Sequence, residues 1–309
     1  MDKIVKKWGF IVNPVAGNGY AKSVVPLLEK AMERNNIKGD IFFTEKAGHA
    51  VELSKKLLKE KYDYIVAVGG DGTANEVSGP LVKSNSATVG VIPAGTGNDF
   101  IQVLGFPDRF SDSEWDVFFR AETKMMDTGY CNDRIFLNGM GLGFDAEVAA
   151  ENYTQPGKVK KGGKHKYIWH IIKTLLFFKE RQMSVTEGIN KYETDCFINT
   201  IAVGRRFAGG FFLTPMAIAD DGLLDVCMIK KLGLLQRFRL LLKVPTGRHI
   251  YSKKVNYYKT DEIFVSFGKE VPFHVDGELG YSSTFKVSII PGSLRIIYNP
   301  HGRHYFKKQ

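Results

Sequence analysis

The 309-residue sequence predicts an α/β fold in two parts. An N-terminal parallel-sheet domain covers residues 1–125, and a C-terminal antiparallel β-sandwich domain covers 126–300. A basic tail, 301–309, would pack back on the first. Three observations carry this division. Apolar runs alternate with helical spacing through the first 125 residues, and glycine-rich segments follow three of those runs. Beyond about Lys124 the texture shifts to strand-length stretches rich in β-branched and aromatic residues.

In chain order, Phe10–Val12 is a short apolar run, followed by helical spacing through Val24–Met32. Ile41–Phe43 reads as a strand and Val51–Leu58 as a helix. Tyr64–Val68 is apolar and ends in glycines, Asn75–Val82 is helical, and Val89–Ile92 is another buried run. Continuous apolar strands alternating with helices imply a parallel sheet covered on both faces. The second part reads as strands at Arg134–Asn138, Cys196–Val203, Leu224–Ile229, Glu262–Phe267, Phe285–Ile290 and Leu294–Tyr298. Helical stretches interrupt them near Tyr167–Lys179 and Leu232–Lys243. Pro156–Lys166, rich in lysine and glycine, reads as a mobile loop.

Three scattered cysteines, Cys131, Cys196 and Cys227, provide neither a metal knuckle nor a disulfide framework. No apolar run is long enough for a signal-peptide core or a membrane span, so the expectation is a cytoplasmic protein, soluble or peripheral. The net charge is +10, unevenly placed. Residues 152–179 hold seven lysines and no acid, and residues 226–260 hold nine Lys or Arg and no acid. Together these contribute +16, leaving −6 for the rest of the chain. Such local basicity points to a specific anionic surface.

The glycine-rich segments are Asn13-Pro14-Val15-Ala16-Gly17-Asn18-Gly19, Gly69-Gly70-Asp71-Gly72-Thr73-Ala74-Asn75-Glu76 and Pro93-Ala94-Gly95-Thr96-Gly97-Asn98-Asp99-Phe100. Ligands of open α/β sheets bind beyond the carboxyl ends of the strands, where all three segments fall. Glycines let backbone amides converge on a phosphate, and the following helix N-termini add a favourable field. Any one loop is equally a tight strand-to-helix turn; three together point to phosphate binding.

These motifs, together with Phe136-Leu137-Asn138, Asp220-Asp221-Gly222-Leu223-Leu224-Asp225 and Val275-Asp276-Gly277-Glu278, closely resemble the diacylglycerol kinase catalytic-domain family. The likeness covers nearly the whole chain in the family's order. Gly-Gly-Asp-Gly-Thr alone is shared with NAD kinases. The resemblance implies a nucleotide-binding domain, a β-sandwich, and an active site in the cleft between them. It implies ATP contacts from Asn13, Pro14, Val15, Ala16, Gly17, Thr44, Gly69, Gly70, Asp71, Gly72, Thr73, Ala74, Asn75 and Thr96. On sequence alone, Thr44 serves equally well as the N-cap of the helix that follows.

A lipid hydroxyl hardly ionises at neutral pH, so a kinase for such an acceptor benefits from a carboxylate base. Asp276 and Glu278 flank Gly277. In an extended strand residues two apart face the same way, although the residues alone read first as an Asp-Gly hairpin turn with solvated acids. With the resemblance they become the catalytic pair, one as base and one as support. The resemblance further implies that Asp71 and Asp127 serve Mg²⁺. A second, structural Mg²⁺ would take the Asp221 side chain and the carbonyls of Ile218 and Leu223, the competing reading being a hairpin turn.

Two stretches, Tyr167–Lys179 and Leu232–Lys243, mix aromatics or leucines with cations, as helices lying in a bilayer interface do. Ordinary domain helices with solvated lysines would look similar by periodicity, but the absence of acid favours a membrane. No nucleic-acid-binding module accompanies the charge. The expected reaction is transfer of the ATP γ-phosphate to a lipid hydroxyl, that of diacylglycerol first. A sphingoid base or polyprenol kinase, a soluble NAD kinase and a non-catalytic binder stand behind it, and a homo-oligomer stays open.

Overall fold

The computed structural model describes residues 6–84, 86–155, 158–159 and 164–307. The lysine-rich loop expected over 156–166 therefore lies largely outside the described residues, with Lys160 and Lys161 among those not described. The chain divides into two compact units. The first comprises residues 1–128, 218–221 and 291–309, and the second 129–217 and 222–290. This differs from a single cut at 125, because the chain returns twice to complete the first unit.

In the first unit the strands are β1 (Trp8–Val12), β2 (Gly39–Phe43), β3 (Tyr64–Gly69) and β4 (Thr88–Pro93), with helices α1 (Tyr20–Arg34), α2 (His49–Lys59), α3 (Asp71–Ser78) and α4 (Asp112–Phe119). The strands are parallel in the order β2-β1-β3-β4. The central strands are apolar throughout because both faces are covered; β1 is buried at every position. Helix α1 buries Ala21, Val24, Leu28 and Ala31, a three- and four-residue spacing that lays one stripe on the sheet. The returning segments are bound in place by backbone. Asp127 N–H donates to Ala219 O, Ala219 N–H to Tyr305 O, and Tyr305 N–H to Val103 O. Tyr305 and Phe306 are buried.

The chain leaves the first unit within β5 (Thr123–Cys131) and continues through β6 (Arg134–Phe136), β7 (Gly139–Gly143), α5 (Phe144–Asn152), the short β8 (Tyr153–Gln155) and β9 (Lys158–Val159), and α6 (Lys164–Phe177). Then come β10 (Arg181–Glu187), β11 (Asn190–Ala202), β12 (Arg206–Phe207), β13 (Phe211–Phe212), β14 (Leu224–Lys230), α7 (Leu234–Leu241), β15 (Val255–Thr260), β16 (Glu262–Val275) and β17 (Glu278–Ile297). The principal sheet of the second unit runs β15-β14-β11-β10-β16-β17, antiparallel throughout. Strand β7 also pairs with both β11 and β16, so β10 and β7 occupy the space between those two long strands at opposite ends. Irregularities at Cys196/Ile198 and Ser266/Val271 mark the changeover. The runs expected as separate strands, Phe285–Ile290 and Leu294–Tyr298, belong to one strand, β17. Among the described residues no helix is long and apolar enough to cross a membrane.

Candidate active site

Parallel pairing in register brings the strand ends of the first unit level. Val12 lies beside Phe43 and Val68, and Gly69 beside Pro93. The three glycine-rich segments therefore start side by side, and backbone bonds extend the sheet into them. Thr44 N–H donates to Val12 O (2.9 Å), Asn13 N–H to Val68 O (3.0 Å), and Ala94 N–H to Gly69 O (2.7 Å).

Beyond that point side chains and close backbone contacts join the loops. The Asn13 amide donates to Thr73 Oγ1 at 3.1 Å, linking the first loop to the second. Gly17 has φ +60°, and a Cβ there would meet Ala94 O at 2.4 Å, so glycine lets the first loop lie against the third. A Cβ on Gly95 would stand 2.4 Å from Gly70 Cα, so the second and third loops touch backbone to backbone. Asn98, itself at φ +51°, closes the third loop by accepting from Gly95 N–H and donating to Gly95 O.

Asp71 begins α3, and its two carboxylate oxygens accept the N–H groups of Asp99 and Phe100, each at 3.0 Å. The carboxylate read as a metal ligand is thus also the tie that sets the third loop against the second. Gly69, Thr73 and Ala74 are buried, Gly70, Gly72 and Asn75 are half-buried, and Val15 and Thr96 are exposed. Asn13, Pro14, Ala16, Gly17 and Thr44 are half-buried. The N-cap of α2 is Gly48, whose N–H donates to Glu76 Oε1, so Thr44 does not cap that helix. Glu76 and Asn98 are loop-building residues that periodicity does not reveal; their signal is position inside the glycine motifs.

Asp127 is buried, its Oδ1 accepting Gly292 N–H at 2.7 Å. In the returning segment Asp220 Oδ1 accepts Lys307 N–H, beside half-buried Ile218 and Asp221. Among the described residues no three His, Cys, Asp or Glu side chains gather into a ligand set. The donors present do not build a protein-only cage. They fit a hard cation such as Mg²⁺ that keeps its waters and takes one carboxylate.

In the second unit, Asp276 and Gly277 have φ +45° and +85° and form a two-residue reversal, with Val275 opposite Glu278. The expectation that Asp276 and Glu278 share one extended face fails, because the chain turns between them. Their surroundings differ accordingly. The Asp276 carboxylate accepts three backbone N–H groups, from Leu137 (2.8 Å), Asn138 (3.0 Å) and Gly139 (3.0 Å), and Asp276 N–H donates to Gly139 O. Three of its roughly four lone-pair directions are thereby occupied. Glu278, the first residue of β17, is exposed. Asn138 extends the network, donating to Arg206 O and accepting at its carbonyl from Val203 and Gly204. The Phe136-Leu137-Asn138 motif is therefore the receptor of the Asp276 turn.

All three cysteines are buried and free, and burial pushes their thiols up, that of Cys131 to about 12, which removes them from nucleophilic chemistry near neutral pH.

Residues 7–131 match the model of the diacylglycerol kinase catalytic domain, and residues 139–298, more than half of the chain, match that of the YegS C-terminal NAD kinase beta sandwich-like domain. A diacylglycerol kinase of Staphylococcus saprophyticus is 29% identical over 277 residues, covering 89% of this chain and 90% of that one. One of Staphylococcus aureus strain Newman is also 29% identical, covering 89% and 87%. A crystal structure from Bacillus anthracis, provisionally assigned as a diacylglycerol kinase, shares the fold with a TM-score of 0.77 at 24% identity, over 97% of each chain. Two matching domain models in family order and relatives spanning nearly the full length agree with three joined glycine-rich loops: the chain belongs to the diacylglycerol kinase catalytic-domain family, and it is an ATP-using lipid kinase, a phosphotransferase with an alcohol acceptor.

Proposed function

We propose that this protein transfers the γ-phosphate of ATP to the hydroxyl of diacylglycerol, giving phosphatidic acid, at an anionic membrane surface. The observation that carries the donor side is the contact of Gly70 with Gly95, fixed by Asp71, which leaves no side chain between two amide-rich loops. Such a ledge receives phosphates through backbone N–H groups. The acceptor is taken from the relatives, whose names specify diacylglycerol.

Phosphoryl transfer is chiefly positioning and charge neutralisation. The first-unit loops, from Asn13 through Gly17, Gly69 through Asn75, and Thr96, with Thr44, hold the nucleotide. Asp71 and Asp127 would hold the Mg²⁺ that accompanies ATP, and the ion would supply neutralisation of phosphate charge. The acceptor oxygen attacks the γ-phosphorus as the bond to the bridging oxygen breaks and ADP leaves. Glu278 takes the hydroxyl proton, and Asp276 fixes the turn that presents it. The Asp221 side chain and the carbonyls of Ile218 and Leu223 would hold a second, structural Mg²⁺.

The test is transfer of labelled γ-phosphate to diacylglycerol, a sphingoid base, a polyprenol and NAD, each offered separately. The label should appear in phosphatidic acid and depend on Mg²⁺. Label in the sphingoid base or polyprenol instead would replace the acceptor, and label in NAD alone would overturn the lipid reading.

A further inference from the structure

A lipid acceptor lies in a bilayer, and one surface of the second unit is built as a bilayer would require. Helix α6 packs Leu175 into a cluster with Phe144, Phe197 and Ile229, and Phe178 follows it there. A surface helix ordinarily turns polar residues outward from such a face. Here Trp169, Leu176 and Phe177 point to solvent. Helix α7 repeats the arrangement: Leu240 enters the same cluster, while Leu235, Phe238 and Leu242 are exposed. The spacing 235, 238, 242 sets these three on one helical stripe.

The two helices are fastened together. Arg237 of α7 is buried, and its guanidinium donates to Leu175 O (2.7 Å), Phe178 O (2.9 Å) and Glu180 Oε1 (2.8 Å). These bonds cap the carboxyl end of α6 with a cation from α7, so the exposed apolar side chains stand on a rigid support. The charged side chains that these two helices themselves expose have one sign and form a basic rim. Lys173, Lys179, Arg239 and Lys243 are exposed, and neither 169–179 nor 226–260 contains an acid. Glu180, the acid at the junction, is buried on Arg237.

We infer that α6 and α7 form a membrane-docking platform for anionic lipid, with Trp169, Phe177, Leu235 and Leu242 entering the headgroup boundary and the lysines and arginine meeting lipid phosphates. An apolar centre within a basic rim is the composition of interfacial helices. A nucleic acid would use the rim and leave the apolar centre wet. The inference deepens the lipid-acceptor reading, and its test uses no turnover, so the two fail separately.

Full-length protein is mixed with phosphatidylglycerol or phosphatidylcholine vesicles, without diacylglycerol or ATP. The chain has three tryptophans; Trp8 and Trp115 are each 3% exposed and Trp169 is 62% exposed, so a vesicle-induced change in emission reports Trp169. Phosphatidylglycerol should shift the emission to the blue, and brominated acyl chains should quench it. Phosphatidylcholine should bind about 10-fold more weakly or less still. The double variant L235E/L242E should lose about 100-fold in partitioning while phosphorylating a short-chain, water-dispersed diacylglycerol at the wild-type rate. Unmoved emission overturns the platform, as does wild-type binding by L235E/L242E. If vesicles do not bind but that variant changes the sedimentation mass, the face serves a protein contact and the lipid assignment is wrong. Vesicle binding without any lipid phosphorylation leaves the platform standing and overturns the kinase acceptor.

Discussion

Asp276 and Glu278 stand one residue apart in sequence and on opposite sides of a chain reversal. Their amide variants should separate cleanly. Glu278→Gln should lower kcat about 100-fold or more with an unchanged unfolding midpoint, as loss of a proton acceptor does. Asp276→Asn sets an NH₂ group among three N–H donors and should cost about 1–3 kcal/mol in urea denaturation. Equal stability of the two variants would refute this division of roles. The Asp-Gly turn was legible, as a hairpin signal. The donors at Leu137, Asn138 and Gly139 were not, because they lie some 140 positions earlier and only folding brings them near. His249 gives a second residue-scale consequence. It is wholly buried, bonds Leu213 O through Nε2, and burial lowers its pKa from 6.5 to about 4. The unfolded chain then binds the extra proton first, so stability present above pH 6.5 is lost as pH falls toward 4, by up to about 3 kcal/mol. Urea midpoints at pH 7 and pH 5 should show this loss, and His249→Gln should flatten it.

At the scale of elements, the parallel strands and helices of the first unit were readable because burial on both faces leaves continuous apolar runs and helical stripes. The second unit was readable only where strands carry β-branched residues. Strand β7 escaped because its sequence, Gly-Met-Gly-Leu-Gly, has poor strand propensity; its pairing with β11 and β16 supplies what propensity lacks. Gly141 within it leaves room for Asp145 and His274, whose side chains a Cβ would strike at 2.1 and 2.4 Å. The glycine loops were legible as strand-to-helix loops at one end of the sheet, whereas their mutual contacts were not. Gly95→Ala places a methyl against Gly70 Cα, so the loops must part. A displacement near an ångström should cost about 100-fold in kcat/KM for ATP. Gly210→Ala, where the added carbon meets nothing within 4 Å, should leave the rate unchanged. Comparable losses at both positions would mean that loop contact is not what glycine provides.

Over the whole molecule, the first unit is assembled from three separate stretches of chain. Sequence texture suggested a change near residue 125 but could not show the returns, since what sets 218–221 and 291–307 apart is where their backbone bonds go. Deleting residues 299–309 removes buried Tyr305 and Phe306 together with the bonds to Val103 and Ala219. That variant should lose ATP binding and melt well below the full chain, and wild-type melting would show the segment to be dispensable. The discontinuity also imposes an order on synthesis. A ribosome delivers the glycine loops early and residues 291–307 late, and those late residues are still in its exit tunnel when synthesis stops, so the first unit can close only after release. Chains that stop at residue 290 should therefore bind ATP more weakly and be cut by proteases faster than the 309-residue chain.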